Sequence, residues 1–321
     1  MSYVLAVDLG GTKCSAAVVD RKGRIVSRRT VTVDLSSQSA PVQQIVQLAR
    51  ELAQGANSKL RFAAAGIAVP GLVRRNGTVW APNLPGWERV PLASRLKKSF
   101  QIPVVVESDR NAAVLGECWQ GAARGKSDVI VLMIGTGIGA GIMSGGSVIR
   151  GAHELSGCAG WLTISLEGNP DSSAIGEMES LAAGPGIANS ARKRLGDGAA
   201  SSLAQFDVSK ITAHEVAAAA REGDRMALDI FHRAGKLLGF GIANIISLFD
   251  PEVVIIGGGM AAAADLYLDS ARDAILERAQ PLAARQVKLA VSKLRDSANL
   301  LGCARLAWQS LETQKSNKER R

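Results

Sequence analysis

Three short apolar runs in this chain each end in glycines: LAVDLGGTK (5–13), VIVLMIGTG (129–137) and EVVIIGGGM (252–260). A β-branched, apolar run bounded by glycine reads as a strand that delivers a tight turn. After the first two turns the chain resumes as KCSAAVVD (13–20) and IGAGIMS (138–144), again strand-like, so both read as strand–turn–strand. The third leads into AAAADLYLDSARDAIL, a helix. Backbone N–H groups gathered in such turns make cradles for anions. A P-loop is excluded, because GxxxxGK[ST] opening a helix is absent. Gly135 to Ala140 fits G-x-G-x-x-A, the spacing of a dinucleotide loop. That loop must open a helix, whereas residues 139–151 carry five more glycines and no helical period. A nicotinamide reading would need a helix directly after Gly139.

Strand and helix patterns alternate through the first third. Residues 41–54 place Val42, Ile45, Val46, Ala49 and Leu52 on one helical face behind Pro41. FAAAGIAVPG (62–71) is a buried strand, 91–100 a short helix, IPVVVESD a strand and RNAAVLGECWQG a helix. Residues 152–185 read as irregular. MALDIFHRAGKLLGFGIANIISLF (226–249) is a helix apolar on nearly all sides, hence buried. A final helix covers 298–312. Alternation of this kind means an α/β layer. With 321 residues, two domains are expected. Two similar halves, each opening on a strand–turn–strand cradle, imply a hinged cleft with a nucleotide between them. The expected lobes are 1–118 with 299–312, and 119–298.

The net charge is +9, of which +3 lies in QKSNKERR (314–321); residues 313–321 are expected to be a disordered basic tail. The rest suits an anionic ligand or ordinary surface. No basic stripe interleaved with aromatics marks a nucleic-acid face. Cys14, Cys118, Cys158 and Cys303 are scattered, with no CxxC, which suits reduced thiols in a cytoplasmic protein. The chain enters a strand pattern by residue 3, so no signal peptide is expected. The apolar run at 237–249 is too short and too interrupted to span a bilayer.

Six ordered motifs together resemble the ROK family of sugar kinases and repressors, within the actin-like ATPase superfamily. They are VDLGGTK (7–13), GIAVPG (66–71), NLPGW (83–87), ESDRNAAVLGE (107–117), IGTGIGAG (134–141) and IIGGGM (255–260). The resemblance covers nearly the whole chain. It implies a two-lobed actin-like ATPase (ribonuclease H-like) fold. It also implies ATP-dependent phosphorylation of a sugar hydroxyl, Mg2+, and a homodimer without nucleic-acid or membrane partners. Many family repressors carry an N-terminal winged helix-turn-helix; this sequence starts at the first strand and so resembles the kinase branch.

Phosphoryl transfer needs positioning, charge stabilisation and an oriented hydroxyl. Thr12 and the amides of Gly10, Gly11 and Lys13 can hold phosphate oxygens, as can Gly135, Thr136 and Gly137. Gly257, Gly258 and Gly259 offer a third set. Lys13 adds a point charge, and Asp8 can hold Mg2+ through water. The alternative is that each glycine only relieves a turn. Asp109, between a strand and a helix, can orient a hydroxyl and take its proton. It can equally be a plain helix cap; the resemblance assigns it as the base. The helix dipole is expected to keep it ionised. Asn111 reads as support for the loop and Glu107 as structural. The resemblance places Asn83 on the sugar, the alternative being a loop-capping role.

The sequence departs from the family pattern in one region. The sugar loop G-x-x-G-x-A-G-E-x-G-H falls on GAHELSGCAGW (151–161), where Cys158 replaces the Glu and Trp161 the His. Trp161 can stack on a sugar face or anchor its loop in the core. The family zinc motif falls on PDSSAIGEME (170–179), where Pro170, Ser172 and Glu177 replace its cysteines and Gly176 and Glu179 remain. No structural zinc is expected without thiolates. His153, Glu154 and Cys158 are too sparse a set to replace it. Ser108 stands where an Asn usually precedes the base. Ser108, Cys158, Trp161 and Glu179 are thus the acceptor-side candidates with Asn83. Losing the Glu and His should redirect acceptor preference, towards a modified sugar, amino sugar or cyclitol. A non-catalytic sensor that kept the fold is the second reading.

Overall fold

Strand β1 (Tyr3–Leu9) turns at once into β2 (Lys13–Asp20), which pairs antiparallel to it, and β3 (Ile25–Thr32) extends the meander. Helix α1 (Ala40–Gln54) then crosses to β4 (Phe62–Val69), which runs parallel to β1. The small hairpin β5 (Leu72–Val73) and β6 (Val79–Trp80) precedes α2 (Leu92–Phe100), β7 (Val104–Ser108) and α3 (Asp109–Gln120). The sheet order is β3-β2-β1-β4-β7, with β7 at an edge. The computed structural model describes residues 2–55, 60–165 and 174–319.

The chain divides into two compact units, residues 1–125 with 148–156 and 293–321, and residues 126–147 with 157–292. In the second unit β8 (Val129–Ile134) and β9 (Ile138–Ser144) form an antiparallel hairpin. β10 (Ser147–Val148) follows, and β11 (Val253–Gly257) and β12 (Lys288–Val291) run parallel beside β8. The order β10-β9-β8-β11-β12 repeats the plan of the first sheet. Helices α4 (Glu177–Ala182), α5 (Gly184–Gly196), α6 (Ala213–Arg221), α7 (Arg225–Phe249), α8 (Ala264–Arg278) and α9 (Pro281–Gln286) fill out this unit. The last helix, α10 (Ala298–Glu319), belongs to the first.

Alternation along β1 explains how the first sheet is covered. Leu5, Val7 and Leu9 face a core shared with Ile45 and Leu48 of α1 and Leu96 of α2. Val4 and Ala6 face the other way, onto Leu300, Cys303, Ala304 and Trp308 of α10. Successive strand residues point to opposite faces, so Asp8 lies on the α10 side. That side is built from small residues because α10 comes very close. A Cβ added to Gly66 would lie 1.9 Å from the Cys303 carbonyl oxygen, and one on Gly302 would lie 1.8 Å from that of Ala112 in α3.

The helices at 41–54, 91–100, 110–121 and 226–249 and the strands at 62–71 and 102–109 fall where the sequence puts them, within a residue or two. A strand, β9, follows Gly137, not a helix, which removes the nicotinamide reading. The stretch 152–185 is less irregular than expected, since it contains α4 and the start of α5. α10 runs on through Glu319, past residue 313, where the sequence reading has the ordered chain end. Residues 313–319 contain neither Gly nor Pro, so nothing local stops the helix. No helix of the described residues is long and apolar enough to cross a membrane.

Candidate functional site

One group of the candidate residues lies at one end of the first sheet. Strands β1, β4 and β7 are parallel, and their registers align Asp8 with Ala68 and Ala68 with Glu107. Their carboxyl ends therefore deliver the Gly10–Thr12 turn and the start of α3 to the same edge, where α/β sheets place ligands.

The turn is closed by its own backbone. The Gly10 amide donates to the Lys13 carbonyl at 2.8 Å, and the Thr12 carbonyl accepts from the Val33 amide at 2.9 Å. Gly10 is thus occupied, contrary to the sequence expectation that its amide faces phosphate. The amides of Gly11 and Thr12 make no hydrogen bond among the described residues. The Thr12 and Lys13 side chains are exposed. Asn83, also exposed, sits against this turn: a Cβ on Gly11 would lie 3.5 Å from the Asn83 Cβ.

Asp109 is the first residue of α3, with Ser108 as the extended residue before it. Its Oδ1 accepts the Arg110 amide at 2.8 Å. The sequence reading has the helix end keep this carboxylate ionised. Burial opposes that and raises its pKa above the ordinary value, against the lowering effect of the Arg110 amide and charge. Asp8 is raised too, to about 6, first by burial and then by the negative charge of Asp109. Asn299 Nδ2 lowers it in part by donating to Asp8 Oδ1 at 3.2 Å. The Asp109 charge thus adds to burial in disfavouring ionisation of Asp8.

Glu107 fixes the helix that carries Asp109. It is buried, and its Oε1 accepts from the Ser108 amide at 2.9 Å and from Asn111 Nδ2 at 3.0 Å. Its Oε2 accepts from Arg150 Nη2 at 2.6 Å and Nε at 2.9 Å. The structural roles expected for Glu107 and Asn111 are therefore one network. Ser108, expected beside the acceptor, is 3% exposed, and its Oγ has no partner among the described residues.

The second unit holds the other two glycine turns side by side. β8 and β11 pair in parallel, and a Cβ on Gly135 would lie 3.8 Å from the Gly259 nitrogen. Gly135 repeats the closure seen at Gly10: its amide donates to the Gly137 carbonyl at 2.9 Å, leaving those of Thr136 and Gly137 outward. Gly258 has φ +78°, and a Cβ there would lie 2.4 Å from the Ile134 carbonyl oxygen, so both conformation and space demand glycine. Gly257 ends β11 buried against Met133.

Glu179 of α4 lies beneath the Gly-Thr-Gly turn. Its Oε2 accepts the Ile138 amide at 2.6 Å, and a Cβ on Gly137 or Gly160 would come within 3 Å of it. Burial raises its pKa despite that bond. Cys158 is half-buried and precedes a short helical turn that ends at Trp161. Trp161 is 57% exposed, so its side chain is no core anchor. Pro170 and Ser172 lie outside the described residues. Glu177, where a family cysteine would fall, is buried, accepting from the Ile164 amide at 2.8 Å and from the Ser165 hydroxyl. Among the described residues no group of three His, Cys, Asp or Glu side chains could hold a metal ion.

Sequence reasoning missed three contributors. Asn299 reaches Asp8 from the far end of the chain, and Arg150 reaches Glu107; neither sits in a motif. The third is the start of α5, where the Gly184 amide donates to the Gly135 carbonyl at 2.9 Å. Gly184-Pro185-Gly186 carried the signal, since proline is favoured in the first helical turn.

A sequence model of the ROK family matches residues 4–310. A glucokinase of Thermotoga maritima is 32% identical over 307 residues, 94% of this chain and 96% of that protein. A xylose repressor of Caldicellulosiruptor bescii is 35% identical over 242 residues, 74% of this chain but only 60% of the repressor. The crystal structure of a ROK family glucokinase from Streptomyces griseus in complex with glucose and AMPPNP is 32% identical. It aligns with a TM-score of 0.81 over 96% of this chain and all of the other.

Proposed function

Given that the chain belongs to the ROK family and has the fold of its actin-like ATPase kinases, we propose how it works as a sugar kinase. ATP is the donor, and a hydroxyl of a sugar or sugar-like molecule is the acceptor. The observation that carries this reading is the edge of the first sheet. It brings Asp109 at the start of α3, Asp8 and the Gly11–Thr12 turn together.

In this reading Asp109 accepts a hydrogen bond from the acceptor hydroxyl, aims it, and takes its proton as the new P–O bond forms. Its raised proton affinity suits that role, because a more basic carboxylate takes a proton more readily. Asn83, beside the turn, binds the acceptor. The amides of Gly11, Thr12, Thr136 and Gly137 receive phosphate oxygens, Lys13 adds a positive charge, and Gly257–Gly259 lines the nucleotide. Phosphoryl transfer depends on such positioned donors more than on covalent chemistry.

Asp8 fits a Mg2+ ion. A magnesium site needs one or two carboxylates besides phosphates and water. Asp8 has one oxygen on Asn299, and its carboxyl carries a proton affinity that a cation would lower. The metal supplies charge neutralisation on the triphosphate.

The acceptor differs from glucose in this proposal, because Cys158 and Trp161 stand where the family has Glu and His. The exposed Trp161 ring offers a stacking face to a modified sugar, amino sugar or cyclitol. Glu177 takes over, by hydrogen bonds, the task of holding its segment that zinc serves in the family. The protein works in the cytoplasm and as a homodimer. A ligand sensor without turnover is the second reading, favoured by the same two replacements and by the likeness to a repressor. The test is ADP release with Mg2+ and ATP across sugars, amino sugars and cyclitols. Release with at least one acceptor is expected; ligand binding without release would favour the sensor.

A further inference from the structure

The first unit contains a cavity of about 590 Å3 outside the edge strand β7. Val105 and Val106 of that strand form an apolar floor. Arg74, Arg75 and Arg150 converge on it, with Glu107 and Glu154 between them. The two carboxylates do not balance the three guanidiniums. Arg150 is engaged by Glu107 at 2.6 Å and Arg75 by Glu154 at 3.0 Å. Among the described residues the Arg74 guanidinium meets only the Glu88 carbonyl, at 3.1 Å. Asp109, Asp8 and the glycine turns do not line this cavity.

We propose that this cavity binds a small organic phosphomonoester and transmits its presence to Asp109. Guanidinium forks match phosphate oxygens in pairs. A monocarboxylate would only repeat the pairing that Glu107 and Glu154 already supply. A phosphomonoester carries nearly two charges at neutral pH and can draw Arg75 and Arg150 from those partners while satisfying Arg74. The valine floor accommodates the organic body, and the volume lies in the range of small-molecule pockets.

The route to Asp109 is short. Glu107 Oε2 is held by Arg150, and its Oε1 holds the Ser108 amide and Asn111, which fix the start of α3. Arg110, next to Asp109, donates from Nη2 to the Glu154 carbonyl at 3.2 Å. Glu154 itself has φ +61°, a left-handed conformation that a non-glycine residue keeps only when held. An anion that takes Arg75 removes one of its ties. Ligand in the cavity therefore reaches the catalytic helix through both Arg150–Glu107 and Glu154–Arg110. This coupling rests on the role of Asp109 proposed above; the binding does not.

The test is calorimetric titration of the full chain, saturated with AMPPNP, using glucose 6-phosphate, glucose 6-sulfate and inorganic phosphate. Glucose 6-phosphate is expected to bind at least tenfold more tightly than the singly charged sulfate and than inorganic phosphate, which leaves the floor bare. Arg74→Ala/Arg75→Ala is expected to weaken it at least tenfold. Arg74→Gln alone, a milder change, is expected to weaken it at least threefold. Equal binding of the sulfate or inorganic phosphate, or undiminished binding by these variants, would overturn the site. Binding that leaves wild-type turnover unchanged at saturating ATP and acceptor would overturn the coupling.

Discussion

Asn299 Nδ2 donates to Asp8 Oδ1 at 3.2 Å, across 291 residues of chain. The last helix thereby reaches the first strand at the residue that stands beside the Gly10–Thr12 turn. Its single donated bond does not offset burial and the charge of Asp109, and the Asp8 carboxyl rests at about 6 against an ordinary 3.8.

That shift has a sign. Between pH 4 and 6 the folded chain holds a proton at Asp8 that the unfolded chain has lost. Stability therefore falls as pH rises through this window, by about 3 kcal/mol at 1.36 kcal/mol per unit. Asp8→Asn should match wild type below pH 4 and exceed it by up to ~3 kcal/mol above pH 6. Urea unfolding at pH 4 and 7.5, without metal or nucleotide, measures both.

Asp109→Asn keeps the size of the side chain and removes the proposed base. The expected loss in kcat is about 10²–10⁴-fold, with the acceptor KM changed far less. Steady-state ADP release measures it. Because the Asp109 charge raises Asp8, the same variant should also shift the Asp8-dependent stability window to lower pH.

Glu179 holds the Ile138 amide next to the Gly-Thr-Gly turn. Losing a hydrogen bond to a charged group costs about 1.5–3 kcal/mol. If that bond orders the turn for phosphate, Glu179→Ala should raise KM for ATP about tenfold or more, and the acceptor KM less. Separate titrations of the two substrates distinguish these effects.

Gly302→Ala would place a methyl 1.8 Å from the Ala112 carbonyl oxygen, backbone against backbone. Forced separation of α10 from α3 should cost about 1–3 kcal/mol or more. Gly259→Ala meets nothing within 4 Å and should change stability by under ~0.5 kcal/mol. Thermal melts of the two variants give the contrast.

The legible parts of this molecule were those with local periodicity or local turn chemistry. The β1 and β8 hairpins, α1, α7 and the junction before Asp109 each announce themselves within about ten residues. The glycine turns follow from the same signals, whereas the roles expected of Asp109 and Asn83 come from the family resemblance. What stayed hidden depends on distant pairing. Nothing near Asn299 points to Asp8, and nothing near Arg150 points to Glu107, because registers and helix crossings create both contacts. The rise in the proton affinity of Asp109 was hidden for a related reason: burial is a property of the assembled unit, and it opposes the local field. Gly10 and Gly135 were misassigned as phosphate donors because a sequence does not show which amide a turn uses on itself.

The first unit also draws on both ends of the polypeptide. Val4, Ala6, Ala64 and Ala68 have their cover in Leu300, Cys303, Ala304 and Trp308. During synthesis one face of the first sheet therefore stays wet until residue 308 has left the ribosome, after the whole intervening unit has emerged. Completion of this unit waits for α10, and a nascent chain stalled before it should be a natural client for chaperones that recognise bare apolar sheet.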